Sequence, residues 1–196
     1  MARPREFDER EVVAKATDLF WRRGYNATSV RDLGAELKLT QSSLYRTFSD
    51  KRGLFLRALD HYRATETTQA DEWLSRSGPV REVLRDWLIW MVGDEAGRGC
   101  LVVNTATELG AGDPEIRRET EAAFEVTREA LASVLRRGCR DGDLPADLDL
   151  DGAVELLFTT VLGLRVRERA GHDPARLARS IDVAVQALAA CRRRPS

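Results

Sequence analysis

The segment from residue 28 to residue 51, TSVRDLGAELKLTQSSLYRTFSDK, concentrates the side chains of this chain that could act on another molecule. Gln41, Ser42, Ser43, Arg46 and Thr47 place an amide, three hydroxyls and a guanidinium close together. None has the nucleophile-and-base pairing of a catalytic centre. On the outer side of a short helix, they match the donors and acceptors that base pairs present in a DNA major groove. Lys51 follows at a helix start, where the dipole favours anions, so a nearby phosphate would suit it.

The elements that position these groups are legible in the same stretch. Thr28 or Ser29 can cap a first helix, and Asp32 stands at capping-box spacing from Ser29. Val30, Leu33, Gly34 and Leu37 give that helix one apolar face, and Gly34 admits a close crossing by the second helix. Thr40 can cap the second helix, with Leu44 and Phe48 facing inward. Ser49 is a third cap candidate. Two short helices around a tight turn form the outline of a helix-turn-helix. On patterning alone, an amphipathic hairpin that only packs a core fits equally well.

The rest of the chain also reads as helix. Asp8 and Glu11 open a helix that Gly24 ends. A longer helix runs from Lys51 towards Trp73, and Gly78-Pro79 opens another. Cys100 to Leu109 reads as a short buried helix after a glycine-rich loop. Asp113-Pro114 and Asp173-Pro174 are each a cap followed by a first-turn proline. Gly138 and Gly142 close the helix begun at Pro114, and Asp149 or Asp151 opens the next, which ends near Gly171. The expectation is an all-α chain of about nine helices, with a reading domain over 1–52 and a helical body over 53–196.

Composition sets further bounds. Residues 1–60 carry 12 Lys+Arg against 9 Asp+Glu, whereas the remainder carries 19 against 23, so a mildly basic head sits on an acidic body. The bias to Arg and Ala points to a GC-rich, bacterial genome. The opening MARPREFDEREV has no apolar run, and no stretch reaches the length of a membrane span, so a cytoplasmic location and no membrane association are expected. Cys100, Cys139 and Cys191 are too few and too scattered for a disulfide framework or a zinc motif. His61 and His172 stand apart, and there is neither a nucleophile elbow nor a phosphate loop, so no enzyme and no cofactor are expected.

Ala16, Leu19, Phe20, Gly24, Tyr25, Thr28-Ser29-Val30-Arg31-Asp32-Leu33, Leu39-Thr40, Ser43-Leu44-Tyr45, Phe48, Lys51 and Leu54 together resemble the N-terminal domain of the TetR family of bacterial transcriptional regulators. Lys38 departs from it, since the family usually has Gly in that turn. The helix count and order extend the resemblance along the whole chain. It implies a homodimeric repressor that binds a palindromic double-stranded operator and is released by a small-molecule effector. Gln41, Ser42, Ser43 and Thr47 would face bases or the groove wall, and Arg31 a base edge. Thr28, Thr40, Tyr45 and Lys51 would hold phosphates.

Trp87, Trp90, Met91, Cys100, Asn104, Thr105, Glu108, Phe124, Thr127 and Phe158 would line the effector pocket, the three polar residues at 104, 105 and 108 foremost. The helix carrying Leu156 to Val166 is apolar nearly all round, which suits burial on two sides. In the family the last two helices pair with their copies. Leu157, Val161, Leu164, Arg165, Ile181, Val185 and Leu188 are therefore expected at a dimer interface. Cys100, at a helix start near Arg98, opens an alternative response by electrophile or oxidant modification. A protein partner in place of an inducer, or a helical interaction module without DNA binding, are the further alternatives.

Overall fold

A computed structural model describes residues 7–93 and 97–192. Among them are nine helices: α1 (Glu9–Arg23), α2 (Val30–Leu37), α3 (Gln41–Phe48), α4 (Lys51–Leu74), α5 (Val80–Met91), α6 (Leu101–Leu109), α7 (Pro114–Asp141), α8 (Leu150–Arg169) and α9 (Pro174–Ala187). The described residues contain no strand beyond one isolated bridge between Leu148 and Arg192. No described helix is long and apolar enough to cross a membrane.

Local chemistry sets the helix ends. Asp8 caps α1 by accepting from Arg10 N, and Gly24 stops it at φ 85°. Ser29 and Asp32 form the complete capping box of α2. Thr40 accepts from Ser43 N at the start of α3. The cap of α4 is Asp50, which accepts from Gly53 N, and not Ser49. Ser49 is instead the residue that ends α3, with φ 68°. Asp149 opens α8 and Gly142 closes α7. Gly138 lies inside α7, where a Cβ would come within 2.8 Å of Leu144 and 3.1 Å of Val80. At Gly34 the close neighbour is the turn itself: a Cβ there would lie 3.1 Å from the Leu39 carbonyl.

Two apolar clusters fill most of the interior. The N-terminal one joins Val12, Ala16, Leu19 and Phe20 of α1 to Leu33, Leu37, Leu44 and Phe48 of α2 and α3. It also takes Leu54, Phe55 and Ala58 from α4 and Ile116 from α7. The first two turns of α4 thus belong to the core beneath α2 and α3. The larger cluster gathers α5, α7, α8 and α9 around Leu84, Leu88, Leu131, Leu135, Leu157 and Ile181. Between them, Leu59 and Tyr62 of α4 meet Leu101 and Val102 of α6, with Trp21 against their edge.

The two-sided burial expected of α8 resolves into one buried face and one open face. Leu157, Val161, Leu164, Arg165, Ile181, Val185 and Leu188 are all buried inside this chain. They are therefore not available to a partner, and the expectation for these residues is corrected. The large apolar side chains left uncovered on α8 and α9 are Leu156, Val166 and Val183, at 39%, 49% and 66% exposure.

Lys38 ends α2 at φ 54° and ψ 38°, in the left-handed region, where a Cβ is disfavoured. Lys38→Gly removes that strain, roughly 1 kcal/mol, less some gain in unfolded-chain entropy. Urea denaturation should show a net stabilisation of about 0.5 kcal/mol or more. A variant less stable than wild type would mean the lysine is not strained.

Candidate nucleic-acid interface and internal cavity

The outward side of α3 is built on two anchors. Leu44 and Phe48 are buried in the N-terminal core, so the opposite side of the helix must face solvent. Gln41, Ser42, Tyr45 and Arg46 are exposed, while Ser43 and Thr47 are half-buried at the edges. The Gln41 amide donates to the Tyr45 hydroxyl at 3.2 Å, one turn along. Thr40 Oγ1 lies 3.0 Å from both the Ser42 and Ser43 hydroxyls while capping Ser43 N. Arg31, in the first turn of α2, is exposed.

Two of the expected phosphate contacts look different in three dimensions. Thr28 is fully buried, and its hydroxyl donates to the Gly24 carbonyl at 2.7 Å. It locks the turn between α1 and α2 and presents nothing to a phosphate. Lys51 is half-buried, its ammonium 4.1 Å from the centre of the Tyr25 ring. Desolvation there pulls its pKa down, and the carboxylate of Glu108 works the other way.

The body forms a cavity of about 450 Å³, open to solvent on one side, between α4, α5, α6, α7 and α8. Trp87, Trp90, Met91, Cys100, Phe124, Thr127 and Phe158 are in its wall. The three polar candidates are not. Asn104 donates to the Arg98 carbonyl at 3.0 Å. Thr105 is buried away from the cavity, and Glu108 is exposed on the far side of α6. The polar residues that do reach the wall include Tyr62, Glu66 and Arg165.

Arg165 is 5% exposed, and its guanidinium donates to the Met91 carbonyl, to Glu168 at 3.3 Å and to Glu66 at 3.2 Å. A buried guanidinium needs such partners. Arg165 is also the cation near Cys100, whereas Arg98 stacks 3.9 Å over Trp21 and pairs with Asp18. Periodicity marks Tyr62 and Arg165 as inward-facing, and a polar group on an inward face is the signal that could have found them.

Residues 12–58 match the family described as bacterial regulatory proteins, tetR family, and residues 74–184 match the tetracyclin repressor-like C-terminal domain. The chain belongs to the TetR family. It is a DNA-binding transcriptional regulator. The HTH-type transcriptional regulator YezE of Bacillus subtilis is 31% identical to it, over 96% of this chain and all of that protein. The repressor ComR of Escherichia coli is 27% identical over 89% and 86% of the two chains. A cysteine mutant of the TetR family regulator CifR, solved with 26-base-pair double-strand operator DNA, has TM-score 0.83 at 33% identity, covering 94% of this chain and 99% of that one.

Three contacts tie the DNA-reading end of this TetR family chain to its body. Glu108 of α6 accepts from Tyr25 N at 3.0 Å and from Asn26 N at 2.7 Å. Arg169 of α8 donates to the carbonyls of Trp21 and Arg22 at 3.0 and 3.2 Å. Arg52, in the first turn of α4, bridges Asp113 and Glu115 at 2.5 Å each. Arg52 and the Ile116 N–H hold the Asp113 carboxyl below the usual aspartate range, while the two acids push the Arg52 guanidinium up.

A lowered aspartate pKa contributes stability above the ordinary value of 3.8, and that contribution is lost as pH falls through the lower folded value. Asp113→Asn keeps a cap but loses the charge. Its melting temperature should lie below wild type at pH 7, and the gap should narrow as pH falls below the ordinary aspartate value of 3.8. A gap that stays constant across this range would exclude the Arg52 charge as its origin.

Proposed function

We propose that this regulator is a repressor that acts as a homodimer on a palindromic operator and leaves it when a small molecule fills the cavity between α4 and α8. The observation that carries this reading is the position of α6. Its N-terminal end supplies Cys100, Val102 and Val103 to the cavity wall, and Glu108 near its other end holds the turn that precedes α2 and α3. A ligand that shifts α6 therefore acts on the support of the reading helices. The reading unit is taken to extend through Ala58, because α4 shares its core that far.

In this reading α3 lies in the major groove. Gln41, Ser42, Ser43 and Thr47 face base edges or the groove wall, and Arg31 reaches a neighbouring base. Thr40, Tyr45 and Lys51 take phosphates. One eight-residue helix reads few base pairs, so two copies about 34–36 Å apart are required. The second copy packs on the open side of α8 and α9, around Leu156, Val166 and Val183. The relatives support this: ComR is described as a repressor, and CifR as bound to operator DNA.

A gel shift on the DNA upstream of the protein's own gene tests the reading directly, and absence of any specific complex would overturn it. Residue roles separate by signature. Lys51→Ala should weaken all sequences alike and reduce the salt slope by about one. Gln41→Ala should relax preference at one or two base positions, with a loss of about 1–3 kcal/mol at the favoured site. Equal weakening at every site would remove Gln41 from the base readers.

The dimer is tested by a double substitution, Val166→Glu with Val183→Glu, on a face that is already exposed. Sedimentation should show monomer, and operator affinity should fall by more than about tenfold as the second half-site is lost. A dimer that survives both charges would place the interface elsewhere.

A further inference from the structure

At the C-terminal end of α1, one side chain of the body takes up bonds that the helix leaves open. The last carbonyls of a helix have no partner within it. Those of Trp21 and Arg22 accept from the Arg169 guanidinium at 3.0 and 3.2 Å. A cation at this end of a helix also meets the favourable side of its dipole. The same guanidinium donates to the Arg98 carbonyl at 3.2 Å, so it gathers α1 and the segment before α6 onto the end of α8.

The seat is close-fitting. A Cβ on Gly99 would lie 2.8 Å from the Arg165 carbonyl and 3.1 Å from the Arg169 Cβ, so the chain before α6 runs directly against α8. Trp21 Nε1 donates to the Gly99 carbonyl at 3.2 Å. The Arg98 guanidinium stacks over the Trp21 ring and pairs with Asp18. The end of α1 therefore rests on residues 98 and 99, and these rest on α8. Arg169 itself is exposed, so its replacement costs the fold little.

The helix that carries Arg169 matters. Leu156 and Val166 lie uncovered on α8, on the face given above to the second copy. Arg169 is the last residue of α8, one turn beyond Val166. The path from that face to the DNA-reading end is thus one helix and one guanidinium. The reading end follows α1 as a unit, because α1, α2 and α3 share one core. The other two joints start from α6, through Glu108, and from α7, through Asp113 and Glu115. Neither of those helices carries the open face.

We propose that Arg169 is a positioning residue for operator recognition: it sets the distance and angle between the two α3 helices of the dimer, and so the half-site spacing that the regulator accepts. This rests on the reading of the protein as a dimer, paired through α8 and α9, on a palindrome. One base pair added between half-sites moves them apart by about 3.4 Å and turns one against the other by about 35°. A reading end locked to α8 cannot follow that displacement. One freed from α8 can follow part of it.

The probe is the palindromic duplex that the wild-type protein itself selects from a random pool. It is compared with versions one base pair longer and one shorter at the centre, and with a duplex carrying a single half-site. Binding is read by fluorescence anisotropy with the full-length protein. Wild type should bind both altered spacings about thirtyfold or more weakly than the selected one. Arg169→Gln should narrow that penalty to about fivefold or less, with a loss of only about threefold at the selected spacing. Its affinity for the single half-site should equal that of wild type. Arg169→Lys, which keeps the charge but not the fork, should fall between the two, and it carries the test if the glutamine variant does not fold.

A spacing penalty unchanged in both variants would overturn the proposal. So would equal weakening of every duplex, the single half-site included, because Arg169 would then serve the fold alone. A selection that yields no palindrome would overturn the dimer reading and this inference together. A palindrome whose spacing penalty ignores Arg169 would leave the dimer reading standing and reject only the positioning role.

Discussion

A helix of eight residues has too few internal hydrogen bonds to persist by itself in water. Both α2 and α3 are that short. Everything the DNA-facing surface does therefore depends on the burial of Leu33, Leu37, Leu44 and Phe48 against α1 and the start of α4. Each fully buried Leu or Phe side chain is worth about 1.5–3 kcal/mol relative to exposure. Four of them outweigh the two caps, at about 1 kcal/mol apiece. The caps decide where the helices begin, and the core decides that they exist. Thr28 belongs to the same scaffold, because its buried hydroxyl closes the turn that delivers the chain into α2.

The body obeys a second constraint, set by charge. Arg165 is buried on the cavity wall, and a lone guanidinium there would be prohibitively desolvated. Glu66 from α4, Glu168 one turn along α8 and the Met91 carbonyl at the end of α5 all converge on it. One side chain thus joins three helices. An apolar substitute of the same shape could pack there, but it would not fix α4, α5 and α8 in one relative arrangement through directional bonds. The cavity is held open beside this junction, between helices whose positions are specified.

Features settled by local chemistry were legible in the sequence. Ser29 with Asp32, Thr40, Asp113-Pro114 and Asp173-Pro174 act within one turn of chain, and each stands at the helix start it signals. Features settled by facing were not. Asp50 and Ser49 are both able to cap, and the choice fell to Asp50 because Ser49 is occupied in ending α3. On α8, apolar on nearly every side, periodicity does not say which side meets the chain's own core. The most apolar stripe went to that core. On α6 the same limit applied to Asn104, Thr105 and Glu108, whose polarity signalled a partner without saying which. The partners were backbone: the Arg98 carbonyl for Asn104 and two turn amides for Glu108. The strain at Lys38 was visible in advance because a turn residue with a Cβ stands where glycine is the usual solution.

The strength of the joint between the two parts bears on the proposed release. Hydrogen bonds to a charged group contribute about 1.5–3 kcal/mol each when well formed. Those at Glu108 lie in a partly solvated setting and sit at the low end of that range. Their sum is comparable to the coupling of about 1–3 kcal/mol that links distant sites in allosteric proteins. A joint much stronger would leave a bound effector unable to move it, and a joint much weaker would leave the reading helices indifferent to the body. Lys51 adds a dependence of its own, because its ammonium lies over Tyr25, whose backbone N–H Glu108 holds, and feels the Glu108 carboxylate. A shift of α6 that withdraws Glu108 would release the turn and alter the charge environment of Lys51 in one movement. The phosphate contact proposed for Lys51 and the geometry of α3 are thus tied to the same carboxylate.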